Sequence, residues 1–554
     1  MTYDRRYCRE YDSILQREWA TINSGWHRGY DYSSLAKLII ALSGTFLLQL
    51  IPDKKEMEMN KMLQMSYEQF EELAKAGNYD VIPVSKEIYA DMTTPLMVLK
   101  ILKSVSSHTY ILESVEDRTK WGRYTFLGYN PTLELTCNNN IINIKTKDSA
   151  VCVKDSSPDE EIKKIISHYK SPDIDYLPNF TGGLVGYFSY DYIKYSEPAL
   201  NLDAKDEENF NDADLMLFDK VIAFDNLKQK IIVIVNADIT KGDLKQAYDN
   251  AVTELEDIVN LIKTKEAAPI APGKITSNIR SLFNEEEFCN MVEKAKTYIR
   301  EGDIFQVVLS NRLDADFEGS LFDTYRILRT TNPSPYMFYF SSPDIEIAGA
   351  SPETLVKCED KTLHTFPLAG TRPRGKDNKE DIRLEKELLA DEKERAEHNM
   401  LVDLGRNDLG KISTFGSVEV EKYMSIERFS HVMHIGSTVR GTLRDDKNPI
   451  DAIGAVLPAG TLSGAPKFRA CEIINELENN KRGIYGGAIG YIDFKGNLDT
   501  CISIRLVFKK NGKVFIRSGA GIVADSVPVN EYNECINKAK AVVNALNMAD
   551  GGVD

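Results

Sequence analysis

Two pairs of glutamates stand at a spacing that could hold a divalent metal ion. Glu394 and Glu397 lie in LADEKERAEHNMLVDL, and Glu531 and Glu534 lie in NEYNECINKAKAVVNAL. A separation of three residues places both carboxylates of a pair on one face of a helix. Carboxylates from two helices suffice for Mg²⁺, which keeps several waters and takes further oxygen ligands from its substrate. Considered without their surroundings, such pairs are more often solvated acidic helix faces.

Three histidines are candidates for proton transfer. His434 lies in SHVMHIGS, where the alternation of residues predicts a strand, and His431 would then face the other side. His398 directly follows Glu397. Imidazole titrates near neutral pH, so each of the three could donate or accept a proton. Residue type does not choose among them, and a lone histidine is more often a satisfied core residue.

Two glycine-rich segments could wrap an anion. RSGAGIVADS at 517–526 follows the strand-like VFI and predicts a turn, in which the amides of Gly519, Ala520 and Gly521 could hold a carboxylate. LPAGTLSGAPK at 457–467 superficially resembles a phosphate loop but lacks its Gly-Lys-Ser/Thr order. Taken singly, each segment is more typical of an ordinary tight turn.

Several positively charged side chains could hold a dianion. Arginine suits bidentate binding of carboxylates, and lysine supplies a compact charge. The candidates are Arg372, Arg374, Lys467, Arg505 and Lys538. Their separation in sequence does not establish that they converge, and each alone is typical of a surface charge.

The elements that must position these residues divide the chain into five predicted segments. Residues 1–64 form an extension of unknown role, either a start-site artefact or a separate appendage. Residues 65–263 are β-rich, with short strand-like runs between turns, and predict a domain built on antiparallel sheet. Residues 264–283, rich in Pro, Ala and Gly, predict a linker. Residues 284–546 predict a second domain that carries the chemistry, and 547–554 a tail.

Helix boundaries are predicted at three places. Ser66 and Gln69 have capping-box spacing at the start of a short helix. A helix over 241–264 should flank the sheet. Asn284 should cap NEEEFCNMVEKAKTYIREGD, which should stop at Gly302.

Composition narrows the class of protein. The 554 residues are 42% hydrophobic and 27% charged, which is typical of a multidomain globular protein. A net charge of −16 argues against a dedicated nucleic-acid binder. The eight cysteines contain no C-x-x-C pair and predict reduced thiols in the cytoplasm. The apolar stretch between Leu35 and Ile51 is shorter than the roughly 20 residues that a membrane span needs.

Together these strings resemble the chorismate-utilising enzymes, and within them the family of anthranilate synthase large subunits. The likeness runs from Met65 to about Leu546 and includes PLAGTRPRG, AEHNMLVDLGRNDLG, FSHVMHIGSTVRG, DTCISIR and GAGIVADS. It implies an α+β fold with an antiparallel β-sandwich core flanked by helices. It also implies Mg²⁺-dependent amination of chorismate at C2 with ammonia, followed by elimination of pyruvate to give anthranilate. A separate glutamine amidotransferase subunit would supply the ammonia, and tryptophan would inhibit.

The resemblance also implies roles for individual residues. Glu397 and Glu534 become the Mg²⁺ ligands, with Glu394 and Glu531 beside them. His434, rather than His431 or His398, becomes catalytic, together with Thr461. The residues implied to hold chorismate are Gly370, Thr371, Thr461, Tyr485, Arg505, Gly519, Ala520, Gly521 and Lys538.

A separate tryptophan site is implied by two further segments, LES at 112–114 and NPSPYM at 332–337. The residues implied to form it are Glu113, which would face the amino group, Ser114, Pro335, Tyr336 and Met337. Without the resemblance, these segments are typical of well-packed loops at a domain junction.

Alternatives and departures from the family pattern remain. Aminodeoxychorismate synthases carry Lys where this chain has Ala369, and isochorismate or salicylate synthases would add water rather than ammonia. A non-catalytic protein that senses tryptophan is disfavoured because the acids, the histidine and the cations are all present. Arg517 and Ser518 replace the usual Gln and Ala, and Cys471 replaces a usual Met, which leaves fine details near the substrate open.

Overall fold

The computed structural model describes residues 63–114, 122–154, 156–429 and 432–553. Almost all of the predicted extension at 1–64 lies outside these ranges, and so does His431. Within the described ranges, no helix combines the length and the apolar character needed to cross a membrane.

Two large antiparallel sheets organise the described residues. The first has the strand order β1-β10-β9-β3-β2-β14-β15-β24-β25-β13-β11, with β12 and β21 also paired to β13. The second has the order β18-β20-β17-β16-β23-β22-β7-β8-β4-β5-β6, with β19 paired to β20. Strands from both sides of the predicted linker at 264–283 therefore pair in the same sheets.

The strands are β1 (Val81–Tyr89), β2 (Thr109–Glu113), β3 (Tyr124–Tyr129), β4 (Leu133–Asn138), β5 (Ile141–Thr146), β6 (Ala150–Lys154), β7 (Gly183–Phe188), β8 (Ala213–Phe218), β9 (Lys220–Asp225), β10 (Lys230–Asp238), β11 (Lys274–Ile275), β12 (Arg280–Ser281), β13 (Gln306–Glu318), β14 (Tyr336–Ser341), β15 (Glu346–Ser351), β16 (Thr354–Glu359), β17 (Thr362–Thr365), β18 (Leu368–Pro373), β19 (Glu419–Arg428), β20 (Val432–Thr442), β21 (Gly464–Ala465), β22 (Ala488–Asp493), β23 (Leu498–Ile502), β24 (Leu506–Lys510) and β25 (Lys513–Ile522).

The α-helices are α1 (Tyr67–Ala76), α2 (Pro95–Lys103), α3 (Pro158–Ser167), α4 (Ile193–Ser196), α5 (Leu244–Thr264), α6 (Glu285–Glu301), α7 (Phe322–Thr331), α8 (Asn378–Ala390), α9 (Glu392–Gly410), α10 (Pro449–Val456), α11 (Lys467–Glu478) and α12 (Pro528–Met548). Short 3₁₀ turns cover Tyr190–Tyr192 and Gly460–Leu462.

One apolar core cluster lies between the two sheets. Phe338 and Phe515 of the first sheet pack in one apolar cluster with Val185 and Ile489 of the second. A second cluster packs α6, α11 and α12 against β13 and β25. The α+β class with an antiparallel β core flanked by helices is thus confirmed.

Local capping sets the helix ends as predicted from sequence. Ser66 and Gln69 form the capping box of α1. Asn284 caps α6, which stops at Gly302 in the left-handed conformation that glycine tolerates. Asp391 caps α9 through the amides of Lys393 and Glu394. This last cap fixes where α9 begins and hence which face carries its glutamates.

The prediction of a glycine-rich turn at 519–521 was wrong. These residues lie inside β25 and pair with Ser310, Leu309 and Val308 of β13. Small residues interrupt the apolar run there and imitate a turn, but the long partner strand continues the ladder past them. The second glycine-rich segment contains a 3₁₀ turn at Gly460–Leu462 and the short strand β21.

Candidate active site

A cavity of about 490 Å³ is lined by α9, α12, β18, β20 and β25. It brings together most of the site residues predicted from sequence. These are Gly370, Thr371, Glu394, Glu397, His434, Thr461, Tyr485, Arg505, Gly519, Gly521, Glu531, Glu534 and Lys538. Residues far apart in the chain therefore meet in one place.

The two glutamate pairs face the same cavity from different helices. The pKa of Glu397 is raised, first by burial and then by Glu394 and by Glu534 across the cavity. Burial also raises the pKa of Glu531, and Glu534 adds to this effect. Lys538 approaches Glu534 at 2.7 Å and offsets part of the negative charge. A divalent cation between the helices would relieve the remaining repulsion.

The glutamates that line the cavity suit a cation that takes its remaining ligands from water and substrate. Among the described residues, no three His, Cys, Asp or Glu side chains come together tightly enough to hold a metal by themselves. Mg²⁺ is usually held by one or two carboxylates, with waters and substrate oxygens completing its octahedron. Glu397 and Glu534 are therefore suited to Mg²⁺ rather than to a metal that needs a full protein cage.

His434 is held in an orientation suited to a base. Its Nδ1 lies 2.7 Å from the carbonyl oxygen of Gly370 and 3.1 Å from the hydroxyl of Thr371. Donation from Nδ1 to the carbonyl leaves Nε2 unprotonated in the neutral ring. Burial lowers the pKa of His434, the Gly370 carbonyl opposes this, and Arg505 lowers it further. The imidazole is therefore neutral at pH 7 and able to accept a proton.

His398 occupies a different environment. It is fully buried, its Nε2 lies 2.6 Å from the Ser437 hydroxyl, and it does not line the cavity. Burial lowers its pKa to about 4. The geometry therefore favours His434 over His398, a choice that residue type left open. His431 lies outside the described residues.

Gly519 and Gly521 present backbone to the cavity. Their cross-strand partners on β13 are Ser310 and Val308. The Ser310 amide donates to the Glu478 carboxylate and the Val308 amide donates to the Ser463 carbonyl, so neither amide bonds to β25. Both glycines therefore sit at non-bonded pairs of the ladder and point their own N–H groups to the open edge. A Cβ on Gly519 would come within 2.8 Å of the Leu309 carbonyl oxygen. Only glycine leaves this backbone open to a ligand carboxylate.

Ala520 is the predicted chorismate residue that the cavity does not include. Its side chain points to the other face of β25 and is fully buried in the helix-covered core. Strand alternation places it there, because its neighbours on both sides face the cavity.

Gly370 shows a second requirement for glycine. Its φ is +66°, and an added Cβ would lie 3.1 Å from Glu394 Oε2. The neighbouring Thr371 lines the cavity next to His434. This bulge between β18 and β20 turns the Gly370 carbonyl toward the histidine.

Glu353 is a site residue that sequence reasoning missed. It lines the cavity and accepts a hydrogen bond from the Thr461 hydroxyl at 3.1 Å. Burial raises its pKa to about 7, against the lowering effects of Thr461, Arg505 and Lys538. It is therefore partly protonated near neutral pH and suited to donate a proton. The only sequence signal was an acid placed between two strand-like runs in GASPETLV.

Three of the candidate cations are engaged with other acids. Arg372 approaches Asp391 at 2.9 Å, Arg374 approaches Asp381 at 2.7 Å, and Lys467 approaches Asp408 at 2.8 Å. None of the three lines the cavity. Arg505 and Lys538 do line it, and Lys538 also donates to the Gly519 carbonyl at 3.0 Å.

A second cavity, of about 410 Å³, gathers Glu113, Ser114, Pro335, Tyr336 and Met337. Pairing of β2 with β14 sets Met337 opposite Glu113, which explains how two distant segments meet. The remaining lining includes the aromatic side chains Tyr124, Phe126, Phe338 and Tyr491. The cavity could accommodate a flat apolar group next to a carboxylate.

Two acids of this second cavity are already hydrogen-bonded. Glu113 accepts from the Tyr325 hydroxyl at 2.5 Å and from Arg329 Nε at 2.7 Å, both through Oε1. The Tyr336 hydroxyl donates to Asp499 at 2.8 Å. Because Tyr325 and Arg329 both bond Oε1 of Glu113, the carboxylate is held in place and its Oε2 is the oxygen that an incoming ammonium group would meet.

Comparison with known proteins agrees with this geometry. The family model described as chorismate binding enzyme matches residues 109–544. Anthranilate synthase component 1 of Acetivibrio thermocellus is 48% identical over 485 residues, covering 86% of this chain and 97% of the relative. The same component from Aquifex aeolicus (strain VF5) is 43% identical over 491 residues, covering 88% and 99%.

One solved structure gives the same assignment, and a second shares only the fold. The crystal structure of anthranilate synthase component I from Streptococcus pneumoniae TIGR4 matches with a TM-score of 0.66 at 38% identity, covering 82% of this chain and 98% of that chain. The isochorismate synthase MenF of Escherichia coli, at 19% identity and a TM-score of 0.63 over 86% of this chain and 98% of its own, shares the fold. The chain belongs to the chorismate binding enzyme family and, within it, to the anthranilate synthase component 1 family.

Proposed function

We propose that this enzyme aminates chorismate at C2 with ammonia and then eliminates pyruvate to form anthranilate, the first step of tryptophan biosynthesis. The observation that carries the proposal is one cavity with opposed carboxylates on α9 and α12 and glycine amides, Arg505 and Lys538 beside them. A cation site and an anion wall in one cavity suit a ring that carries two carboxylates.

Substrate binding divides between the two sides of the cavity. Glu397 and Glu534 would hold Mg²⁺, with Glu394 and Glu531 beside them, and the bound ion would neutralise one substrate carboxylate and help orient the ring. Arg505 and the amides of Gly519 and Gly521 would hold the other carboxylate. Tyr485, Thr371 and Lys538 complete the wall.

Two proton transfers follow from the environments of Glu353 and His434. Glu353 donates a proton to the C4 hydroxyl, which leaves as water while ammonia forms a bond to C2. His434 Nε2 then removes the C2 proton, the ether bond between C3 and the enolpyruvyl group breaks as the ring becomes aromatic, and the released enolate takes up a proton at its methylene carbon to become pyruvate. The raised pKa of Glu353 and the lowered pKa of His434 support these assignments.

The nearest alternative reaction lacks its amine. Ala369 lies in the cavity wall with 8% of its surface exposed, at the position where aminodeoxychorismate synthases are expected to carry a lysine. A methyl group cannot act as a nucleophile. This supports direct amination by ammonia.

We also propose that tryptophan binds the second cavity and inhibits. Its aromatic lining and the Glu113 carboxylate suit an indole and an ammonium group. A separate class I amidotransferase subunit would supply ammonia, and the protein would act in the cytoplasm. The seven described cysteines are all free thiols, which suits a reducing compartment.

The direct test incubates the purified chain with chorismate, Mg²⁺ and ammonium. Anthranilate should appear by fluorescence with an equal amount of pyruvate, and a chelator should stop both. Glutamine should replace ammonium only when the partner subunit is added. Formation of isochorismate or aminodeoxychorismate in place of anthranilate would refute the proposed reaction.

A further inference from the structure

A buried cluster of charges lies behind the glycine wall of the active-site cavity. Glu478 closes α11, and Glu478, Arg482 and Arg517 each have side chains no more than 2% exposed. Glu478 accepts from Arg482 Nε at 3.0 Å and from Arg517 Nη2 at 3.2 Å. Two guanidinium charges share one carboxylate, so the cluster keeps one net positive charge away from solvent.

Further hydrogen bonds from the two arginines reach the cavity wall. Arg482 donates to the carbonyl oxygens of Leu462 at 2.6 Å and Val308 at 2.7 Å, and both residues line the cavity. Arg517 Nε donates to the Ser310 hydroxyl at 2.9 Å. The guanidinium groups thus tie β13, β25 and the 3₁₀ turn at Gly460–Leu462 to one another.

The cluster reaches the ligand-facing surface at two points. Arg517 itself lines the cavity, two residues before Gly519 on the same strand. The Arg482 guanidinium lies 5.9 Å from the centre of the Tyr485 ring, and the Tyr485 hydroxyl lies 2.9 Å from where a Cβ of Gly519 would stand. Burial lowers the pKa of Arg517 to about 10, which keeps it charged at neutral pH.

The charges of the side chains that line the cavity indicate what the buried cluster does. The lining carries more acids than bases apart from Arg517. The acids are Glu353, Glu394, Glu397, Glu531 and Glu534, and the bases are Lys393, Arg505 and Lys538. A divalent cation on the helix side would offset this excess only while it is bound, whereas the positive charge of the cluster behind β25 is fixed in the protein and acts on an anionic ligand in either state.

We propose that Glu478, Arg482 and Arg517 make the cavity selective for dicarboxylate over monocarboxylate ligands, with Arg517 as a positioning residue. The inference rests on the proposed function, since chorismate carries two carboxylates. A fixed positive charge attracts both carboxylates of a dianion but only the single carboxylate of a monoanion. The low effective dielectric constant around a buried charge strengthens this attraction. Removing it should therefore weaken a dicarboxylate more than a monocarboxylate.

The test measures binding of isophthalate and benzoate to the full chain by calorimetry in magnesium buffer. Arg517→Gln removes the net charge of the cluster, whereas Glu478→Gln with Arg517→Gln restores it through Arg482. Arg312→Gln is the matched control, because Arg312 is also buried, faces Arg517 across the strand pair and does not line the cavity.

Arg517→Gln should weaken isophthalate about tenfold and benzoate about threefold, and the double variant should restore isophthalate to within about threefold of wild type. The KM for chorismate should follow isophthalate, with kcat changed by less than about threefold. Arg312→Gln should change both affinities much less than Arg517→Gln does, because the Arg312 charge is paired with Asp314 at 3.4 Å and lies outside the cavity lining.

Equal weakening of the two ligands by Arg517→Gln, or the same effect from Arg312→Gln, would overturn the inference. So would a double variant that folds by circular dichroism but binds isophthalate no better than Arg517→Gln. If Arg517→Gln does not fold, the double variant alone tests the proposal. The proposal is then overturned if the ratio of isophthalate affinity to benzoate affinity in the double variant is below one third of the wild-type ratio. Absence of anthranilate formation by the wild-type enzyme would refute the reaction and leave this binding test intact.

Discussion

Replacing Glu353 by Gln should remove the proton donor for the first chemical step while preserving the shape of the side chain. Glu353 has a pKa raised to about 7 by burial, and its carboxyl accepts from Thr461 at 3.1 Å. A positioned general acid typically contributes about 10²–10⁴-fold. The variant should lose activity by that factor, with the KM for chorismate changed by less than about threefold.

The pH profile makes this prediction specific. A group with a raised pKa is protonated below it, so the acid form of Glu353 is present at pH 6 and falls about tenfold per pH unit above 7. The kcat/KM for chorismate should fall with the same slope on the alkaline side. On the acid side it should fall as His434, whose pKa lies below its ordinary value, becomes protonated.

The assay must hold free ammonia constant, because ammonium itself deprotonates as pH rises. Anthranilate fluorescence is followed from pH 5.5 to 9 at saturating Mg²⁺ for wild type, Glu353→Gln and the control Glu421→Gln, whose partly exposed side chain pairs with His364 outside the cavity. A Glu353→Gln enzyme within about threefold of wild type, or one that keeps the alkaline slope, would refute the assignment.

Three further predictions concern the other groups of the two cavities. His434→Met should accumulate an aminated intermediate that still carries the enolpyruvyl group, whereas Glu534→Ala should suppress both steps and accumulate no intermediate. Quenched reactions separated by chromatography would distinguish the two results, and normal turnover by either variant would contradict the prediction. Gly519→Ala should raise the KM for chorismate about tenfold or more, because its Cβ would meet the Leu309 carbonyl; an unchanged KM would contradict the glycine wall. Ser114→Phe and Met337→Thr should weaken tryptophan inhibition in initial-rate assays while sparing catalysis, and equal loss of both would indicate a packing role.

Local features of the site could be read from sequence because local rules determine them. The spacing of Glu394 and Glu397 put both on one face of α9, and the cap at Asn284 set the start of α6. The convergence of Thr371, Tyr485 and Arg505 could not be derived in this way. It depends on strand pairing that brings the segment of Thr371 to segments far later in the chain, which the resemblance implied and periodicity did not.

The failures have equally specific causes. The glycines on either side of Ala520 predict a turn, whereas pairing with Leu309 makes Ala520 a strand residue that faces the core. Lys467 is a candidate cation by residue type, but in the structure its ammonium group donates to the Asp408 carboxylate and does not reach the cavity. Glu353 was missed because its significance comes from burial, and the sequence does not reveal which acid will lose its water.

A pair of consecutive residues links the lining of the first cavity to a hydrogen bond of the second. Glu353 lines the first cavity, and the next residue, Thr354, opens β16 with its hydroxyl 2.9 Å from the Tyr336 hydroxyl in the second. Side chains of neighbouring residues in an extended segment point to opposite faces, so one short stretch of backbone serves both. Tyr336 also bonds Asp499 on β23, the strand that leads to Arg505. A ligand that shifted Tyr336 would therefore disturb Thr354, the residue next to Glu353, and Asp499, on the strand that precedes Arg505.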